Sequence, residues 1–305
     1  MSRPSNAMGY YIVLSIVFLL LAAVLPANKQ ASQLYHLSSS QYHLLFFLVI
    51  LPLMLLSFLA IYGYAKLQNY ADSIEKTPEG QDFNLLAQGC RWLAWGLLIP
   101  AIAEISLNSV ANVHPGFHAA AITITNYLYL LVPLVAFSLI SSGSHGLLSR
   151  TKKQLSIANA KSLILVFALI GVAYSFLVFR HFTGDSVGST NNPYYLPLWL
   201  MLITLVIPYL YAWFIGLLAV YEIVLFSKQS RGVLYQQALQ LVAHGLVIVI
   251  ASSIALQYVG SIVPSTGHLV LDTSLAATYA IRLGAAVGYV MIARGAIRMK
   301  KIEEV

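Results

Sequence analysis

The sequence predicts an all-α polytopic integral membrane protein with eight transmembrane helices, arranged as two tandem four-helix units in parallel orientation. Hydrophobic residues make up 59% of the 305 positions and charged residues only 9%, whereas soluble domains carry roughly 25% charged residues. Apolar runs long enough to cross about 30 Å of hydrocarbon recur along the chain. A third observation is that a stretch of the first half reappears in the second, which predicts an internal repeat.

Eight apolar runs are long enough to be spans, and no linker between them is long enough to hold a soluble domain. The first run follows Arg3 and resembles a signal peptide. We favour a retained helix because no clear cleavage site follows it and because the repeat needs a partner for the fifth run. The runs are 10–26, 43–65, 85–109, 119–141, 161–180, 196–226, 234–260 and 272–294.

The distribution of cations predicts the orientation. Loops on the cytoplasmic side of membrane proteins are enriched in Lys and Arg, and only Lys29 and Arg180 fall in the opposite loops. Both termini are therefore predicted to be cytoplasmic, in a protein of the cell membrane. The thirteen cations on the predicted inner side are Arg3, Lys66, Lys76, Arg150, Lys152, Lys153, Lys161, Lys228, Arg231, Arg294, Arg298, Lys300 and Lys301.

The repeat divides the chain into a first unit at 1–150 and a second at 151–305. Its alignment pairs Gly96 with Gly245 and His118 with His268. Because four spans separate equivalent positions, the two units are expected to be related by an axis along the membrane normal. Pro52 and Pro208 predict one bent helix in each unit, since proline removes a backbone hydrogen bond.

Polar residues inside the spans predict a binding site between the two units. Arg282 lies near the bilayer centre, where an arginine is expected to face the bundle interior and to need acceptors. Glu104 and Glu222 are the embedded carboxylates, and Glu104 lies in the outer half as Arg282 does. We predict that Arg282 and Glu104 line a substrate site together with Tyr129, Tyr279 and Asn126. The alternative is a buried ion pair that only fixes the helix register.

Six of the eight histidines fall on the predicted outer side, and only His145 and His244 lie toward the cytoplasm. Imidazole is the commonest transition-metal ligand and titrates near neutral pH. His114, His118 and His268 are therefore candidate ligands of an outer metal site or parts of a pH sensor. The alternative is that outer loops simply tolerate histidine as a polar residue.

Ala280, Gly284 and Gly288 form a stripe of small residues on the last span, which permits close helix packing. The stripe predicts either packing within the chain or a contact with a homodimer or membrane-complex partner. The other expected partner is the lipid bilayer. Because the basic residues cluster at one membrane face, we predict no nucleic-acid binding.

Motifs of soluble enzymes are absent from the sequence, including the P-loop, the zincin helix and the nucleophile elbow. The single cysteine, Cys90, excludes an intrachain disulfide. The sequence therefore favours a non-enzymatic membrane protein that transports a small solute or ion. A quinone-binding subunit of a redox complex and an outward metal-binding or pH-sensing protein are the alternatives. The sequence does not assign a cofactor: a protein without one is compatible with it, and quinone and a transition metal are the less favoured options.

Overall fold

A computed structural model of the chain describes residues 39–113, 118–150, 203, 206–229, 232–262 and 273–304. These residues form six long helices and confirm the all-helical class. Four of the helices contain segments long and apolar enough to cross a membrane, namely Tyr127–Ser149, Ile207–Ser227, Val233–Leu256 and Ala276–Glu303. The six helices are α1 (Ser39–Ser73), α2 (Pro78–Val113), α3 (His118–Ser149), α4 (Ile207–Ser227), α5 (Val233–Ile262) and α6 (Thr273–Glu303).

Six of the predicted spans coincide with these helices. The runs 43–65, 85–109, 119–141 and 234–260 lie inside α1, α2, α3 and α5. Within the run 196–226, the continuous helix α4 begins at Ile207. The last run, 272–294, coincides with the first two thirds of α6. The runs 10–26 and 161–180 lie outside the described residues, so the eight-span architecture and the boundary at 150 stay predictions.

The described helices pack in a ring, in which each helix contacts the next in chain order and α6 contacts α1. The most extensive contacts join α2 to α3 and α5 to α6. One end of the ring, here called the inner end, is where α1, α3, α4 and α6 finish and where α2 and α5 begin. It is the side that the charge distribution predicts to be cytoplasmic.

Short connections hold the inner end together. Thr77 precedes Pro78, the first residue of α2, and its hydroxyl accepts a hydrogen bond from the Gly80 amide at 3.2 Å. Threonine before a proline at the first helical position is a favourable helix start. Between α4 and α5, Gly232 has a φ of 89°, a conformation that glycine adopts readily. Both turns are thus encoded locally in the sequence.

Close helix contacts occur in matched sets in the two halves of the ring. In each set a glycine of one helix faces a carbonyl oxygen of its neighbour and the amide nitrogen four residues further on, so that a Cβ atom would meet backbone. In the first matched pair, a Cβ at Gly89 would lie 2.7 Å from the Ala136 oxygen and 3.1 Å from the Ile140 nitrogen, and one at Gly245 would lie 2.5 Å from the Gly288 oxygen and 3.1 Å from the Ile292 nitrogen. In the second matched pair, a Cβ at Gly143 would lie 2.5 Å from the Asp82 oxygen and 3.1 Å from the Leu86 nitrogen, and one at Gly295 would lie 2.6 Å from the Ala238 oxygen and 3.1 Å from the Val242 nitrogen.

The junctions between the halves match as well. Gly63 of α1 lies against Tyr289 of α6, and Gly216 of α4 lies against Phe137 of α3. In these contacts Gly245 corresponds to Gly89, and not to Gly96 as the sequence alignment predicts. Gly96 instead lies against Val132. Gly89 and Gly96 are seven residues apart, about two turns, so they lie on nearly the same helix face.

Two prolines are predicted to bend a helix. Pro52 lies inside α1. Pro208 is the second residue of α4, and the residues described just before this helix, Ile203 and Val206, have π-helical backbone. A bend inside the span at Pro208 therefore stays a prediction. Pro100 in α2 and Pro133 in α3 are further prolines inside helices.

A tyrosine pair joins helices that are not neighbours in chain order. The hydroxyls of Tyr70 on α1 and Tyr235 on α5 are 2.7 Å apart, and both side chains are buried. The Phe83 ring meets the Tyr70 ring edge-on, with centroids 5.0 Å apart. The two hydroxyls share one hydrogen bond, in which either can be the donor.

We expect Tyr70→Phe and Tyr235→Phe each to lower the free energy of unfolding by about 1 kcal/mol, because each change leaves one buried hydroxyl without this partner. The double variant should cost less than the sum of the two single variants. Thermal unfolding of purified protein in detergent would measure this coupling. Strictly additive losses would show that the hydrogen bond contributes no stability.

Candidate functional site

Two carboxylates are buried among the described residues, Asp82 and Glu222. Charged groups are rare in membrane-spanning helices, and those that occur commonly mark ion or proton pathways. Glu222 lies inside the apolar segment Ile207–Ser227, and its side chain is only 3% exposed. It is therefore the first residue to consider as a functional group.

Glu222 is held by two consecutive residues of α3. The Ser144 hydroxyl donates to Glu222 Oε2 at 2.6 Å, and His145 Nδ1 lies 3.2 Å from Glu222 Oε1. Both carboxylate oxygens thus have a partner on the neighbouring helix. The site sits at the junction between α3 and α4, where Gly216 contacts Phe137 one to two turns further from the inner end.

The Ser144 hydroxyl has one hydrogen and two acceptors within reach. Besides Glu222 Oε2, the carbonyl oxygen of Ser141 lies 2.9 Å from Ser144 Oγ. When Glu222 is ionised, Ser144 donates to it. When Glu222 is protonated, its O–H can donate to Ser144 while Ser144 donates to the Ser141 carbonyl. The same heavy-atom positions therefore accommodate both protonation states of the carboxyl group.

His145 connects this buried carboxylate to the surface. Its side chain is 73% exposed, whereas that of Glu222 is 3% exposed. His145 lies on the last turns of α3, so its imidazole is near the inner end of the six-helix arrangement. An imidazole that touches a buried carboxylate and is itself exposed can pass a proton between solvent and that carboxylate.

The second buried carboxylate, Asp82, is part of an ion pair that joins two helices. Asp82 Oδ2 accepts a hydrogen bond from Arg150 Nε at 2.7 Å. Gly143 and Gly146 let α3 approach Asp82 closely, because a side chain at either position would meet it. The pair ties the beginning of α2 to the residue that follows α3.

The predicted substrate residues are described only in part. Tyr279 and Arg282 share α6, and Arg282 lies close enough to Tyr279 to act on it electrostatically. Tyr129 is a half-buried residue of α3, a helix that is not a neighbour of α6 in the ring. Glu104 and Asn126 lie on α2 and α3, and their side chains lie outside the described residues. A shared cavity of these five residues stays a prediction.

The predicted metal ligands also lie largely outside the description. His114 and His268 fall there, as does the side chain of His118, whose backbone begins α3. Within the part of the chain that the structure describes, no three His, Cys, Asp or Glu side chains form a group that could hold a metal ion.

The small-residue stripe of α6 contributes to packing inside the chain. Gly288 lies against Gly245 and Val249, and Gly284 faces Ser252. Ala280 is exposed. Close internal packing thus accounts for Gly288, whereas a Cβ at Gly284 would make only an ordinary contact. A partner contact through the stripe stays a prediction.

Sequence reasoning identified Glu222 as an embedded carboxylate but did not choose it as a site. The sequence does not indicate which residues contact Glu222, because Ser144 and His145 are far from it along the chain. One signal was present: His145 is among the few histidines on the predicted inner side, and it lies in the last turns of a helix. Nothing in the spacing, however, pairs that helix with α4.

The four long apolar segments of the described helices indicate a helical membrane protein. Comparison with protein-family models, with curated proteins and with solved structures finds no match in any of the three.

Proposed function

We propose that this protein is a membrane transporter that moves a small solute or ion and couples this movement to reversible protonation of Glu222. The observation that carries the proposal is the buried Glu222 carboxylate, bonded to Ser144 and in contact with the exposed His145. Chains of Asp, Glu and His side chains form proton relays in pumps and transporters.

The site is suited to coupling because it lies between two helices. An ionised carboxylate in a low-dielectric interior requires hydrogen-bond donors, whereas a protonated one can itself donate. Gaining a proton therefore changes what Glu222 requires from α3. A solute that favours one relative position of α3 and α4 would bias the protonation of Glu222, and the reverse follows by linkage.

Comparison of the two matched junctions supports a function at the junction of α3 and α4. At the junction of α1 and α6, Ala296 lies seven residues after Tyr289, as Ser144 lies seven after Phe137. Asn69 lies six residues after Gly63, as Glu222 lies six after Gly216. Equivalent packing is thus achieved with alanine and asparagine, so helix packing alone does not require a carboxylate at this depth.

For the solute itself we propose the outer half of α6, where Arg282 and Tyr279 lie near each other. Arginine keeps its positive charge throughout the accessible pH range, so an anionic or carbonyl-bearing solute suits it best. We also infer that the matched contacts of α1–α3 and α4–α6 reflect an internal duplication, with Glu222 and Arg282 as later, asymmetric additions.

Glu222→Gln tests the coupling, because glutamine has nearly the same shape and, like a protonated carboxyl group, offers one acceptor and a donor, but it does not titrate. Proteoliposomes containing a pH-sensitive dye would be exposed to panels of organic acids, amino acids, sugars and inorganic ions. We expect wild-type protein to move protons in response to at least one solute, and Glu222→Gln to lose at least about 90% of that response.

Glu75→Gln provides the matched control, because Glu75 is an exposed carboxylate near the inner end. It should behave as wild type. Infrared difference spectra supply a readout that needs no solute, since Glu222→Gln should lack one component of the protonated-carboxyl band that both wild type and Glu75→Gln retain. Solute-driven proton movement that survives in Glu222→Gln would refute the coupling.

A further inference from the structure

One face of α2 forms an open groove of about 470 Å³ that no part of the proposed transport site uses. Apart from the adjacent pair Arg91 and Trp92, successive lining residues lie three or four positions apart, which places them on a single side of the helix. Gln88, Arg91 and Trp92 are exposed and Trp95 is half-buried. The residues that line the groove are Gln88, Arg91, Trp92, Trp95 and Ile99.

The groove changes character along the helix axis. Its polar residues, Gln88 and Arg91, lie nearer the inner end, where α2 begins at Pro78. Arg91 lies thirteen residues into the helix, about 20 Å along its axis. Trp95 and Ile99 follow further from that end. A lipid of the inner leaflet has the same order of chemistry, with a charged headgroup followed by an apolar chain.

We propose that this groove binds an anionic phospholipid of the inner leaflet, with its phosphate at Arg91 and Gln88 and an acyl chain along Trp95 and Ile99. Arginine binds phosphate oxygens through two parallel hydrogen bonds, and tryptophan favours the level of the headgroups. Among the described residues, the groove lining contains a cation and no carboxylate, so its charge complements an anionic headgroup and gives a zwitterionic one no comparable advantage.

The matched face of α5 provides an internal comparison. Since Gly245 corresponds to Gly89 in the packing, His244 corresponds to Gln88 and Val247 to Arg91. Both are exposed, as is Ala251, the counterpart of Trp95. That face has neither an arginine nor a tryptophan at these positions, so the lipid site is expected on α2 and not on α5. The site does not depend on Glu222.

Native mass spectrometry of the full-length protein would test the site directly. The protein would be titrated with phosphatidylglycerol, with phosphatidylcholine of identical chains, and with inorganic phosphate alone. We expect wild type to retain phosphatidylglycerol over phosphatidylcholine by about fivefold, as expected for one cation facing an anionic headgroup. Arg91→Gln should abolish that preference, and Arg91→Lys should keep most of it.

Arg294→Gln is the matched control, because Arg294 is an exposed cation of α6 outside the groove. It should leave the preference unchanged. Trp95→Ala should reduce retention of both lipids, since it removes contact with the chain and not with the phosphate. Equal retention of the two lipids by wild type would overturn the proposal. So would an unchanged preference in Arg91→Gln, binding of phosphate alone as tight as that of the lipid, or a protein partner that occupies the groove instead.

Discussion

Gly89→Val and Gly245→Val are each expected to lower the free energy of unfolding by about 3 kcal/mol or more. At both positions a Cβ would press against a backbone carbonyl of the neighbouring helix, 2.7 Å away at Gly89 and 2.5 Å away at Gly245. Backbone cannot rotate aside as a flexible side chain can, so the helices must separate. Thermal unfolding and the monodisperse fraction in detergent would measure the loss.

Two controls separate packing from other effects. Gly284→Ala should be nearly neutral, because its new Cβ would lie 3.5 Å from Ser252 Oγ, an ordinary contact. Leu283→Val tests the effect of a β-branched residue at a position that is 66% exposed. If Gly89→Val were costly and Gly245→Val harmless, the correspondence between the two helix pairs would be contradicted.

Arg150→Leu is expected to cost about 2–3 kcal/mol, because it leaves the buried Asp82 carboxylate without the arginine that now bonds to it. Losing one partner of a fully buried pair typically costs about 3–5 kcal/mol. We expect less here since the Arg150 side chain is 38% exposed and solvent screens an exposed charge. Unfolding in a denaturant or temperature series would give the value.

The double variant Asp82→Leu with Arg150→Leu should recover much of that loss, because no buried charge is then left unpaired. Lys228→Leu removes an exposed cation at the same end of the ring and should have little effect. A double variant as unstable as Arg150→Leu alone would show that Asp82 has a further role. Gly146→Ala, whose side chain would meet the Asp82 carboxylate, should resemble Arg150→Leu in direction.

Much of the helical fold could be predicted because membrane helices are encoded by long apolar runs. A helix such as α5 needs only its own residues to satisfy its backbone hydrogen bonds, so its position follows from local hydrophobicity. The correspondence between the two halves of the ring is harder to predict. A shift of seven residues returns to the same helix face, so hydrophobic pattern cannot separate Gly89 from Gly96 as the counterpart of Gly245. The contact of a glycine with the neighbouring backbone does separate them, because it depends on the position along the helix axis as well as on the helix face.

The candidate site was less predictable than the helices. Glu222 is visible in the sequence as a carboxylate in an apolar run, but its environment comes from α3. The choice of Arg282 and Glu104 rested on depth in the membrane, which the sequence does indicate. Which helices stand side by side is decided by interhelical packing, and it places α3 and α6, the helices of Tyr129 and Tyr279, apart in the ring.

The sequence by itself determined the membrane class, the positions of the described helices and the chemistry of their inner-end turns, because each depends on neighbouring residues in the chain. Tertiary structure decided the ring order, the matching packing roles of Gly89 against α3 and Gly245 against α6, and the meeting of Ser144, His145 and Glu222. These depend on the distance and register between separate helices. Interhelical register is set by where small residues allow two backbones to approach. Whether they can approach at a given glycine depends on the residues of both helices, which are far apart in the sequence.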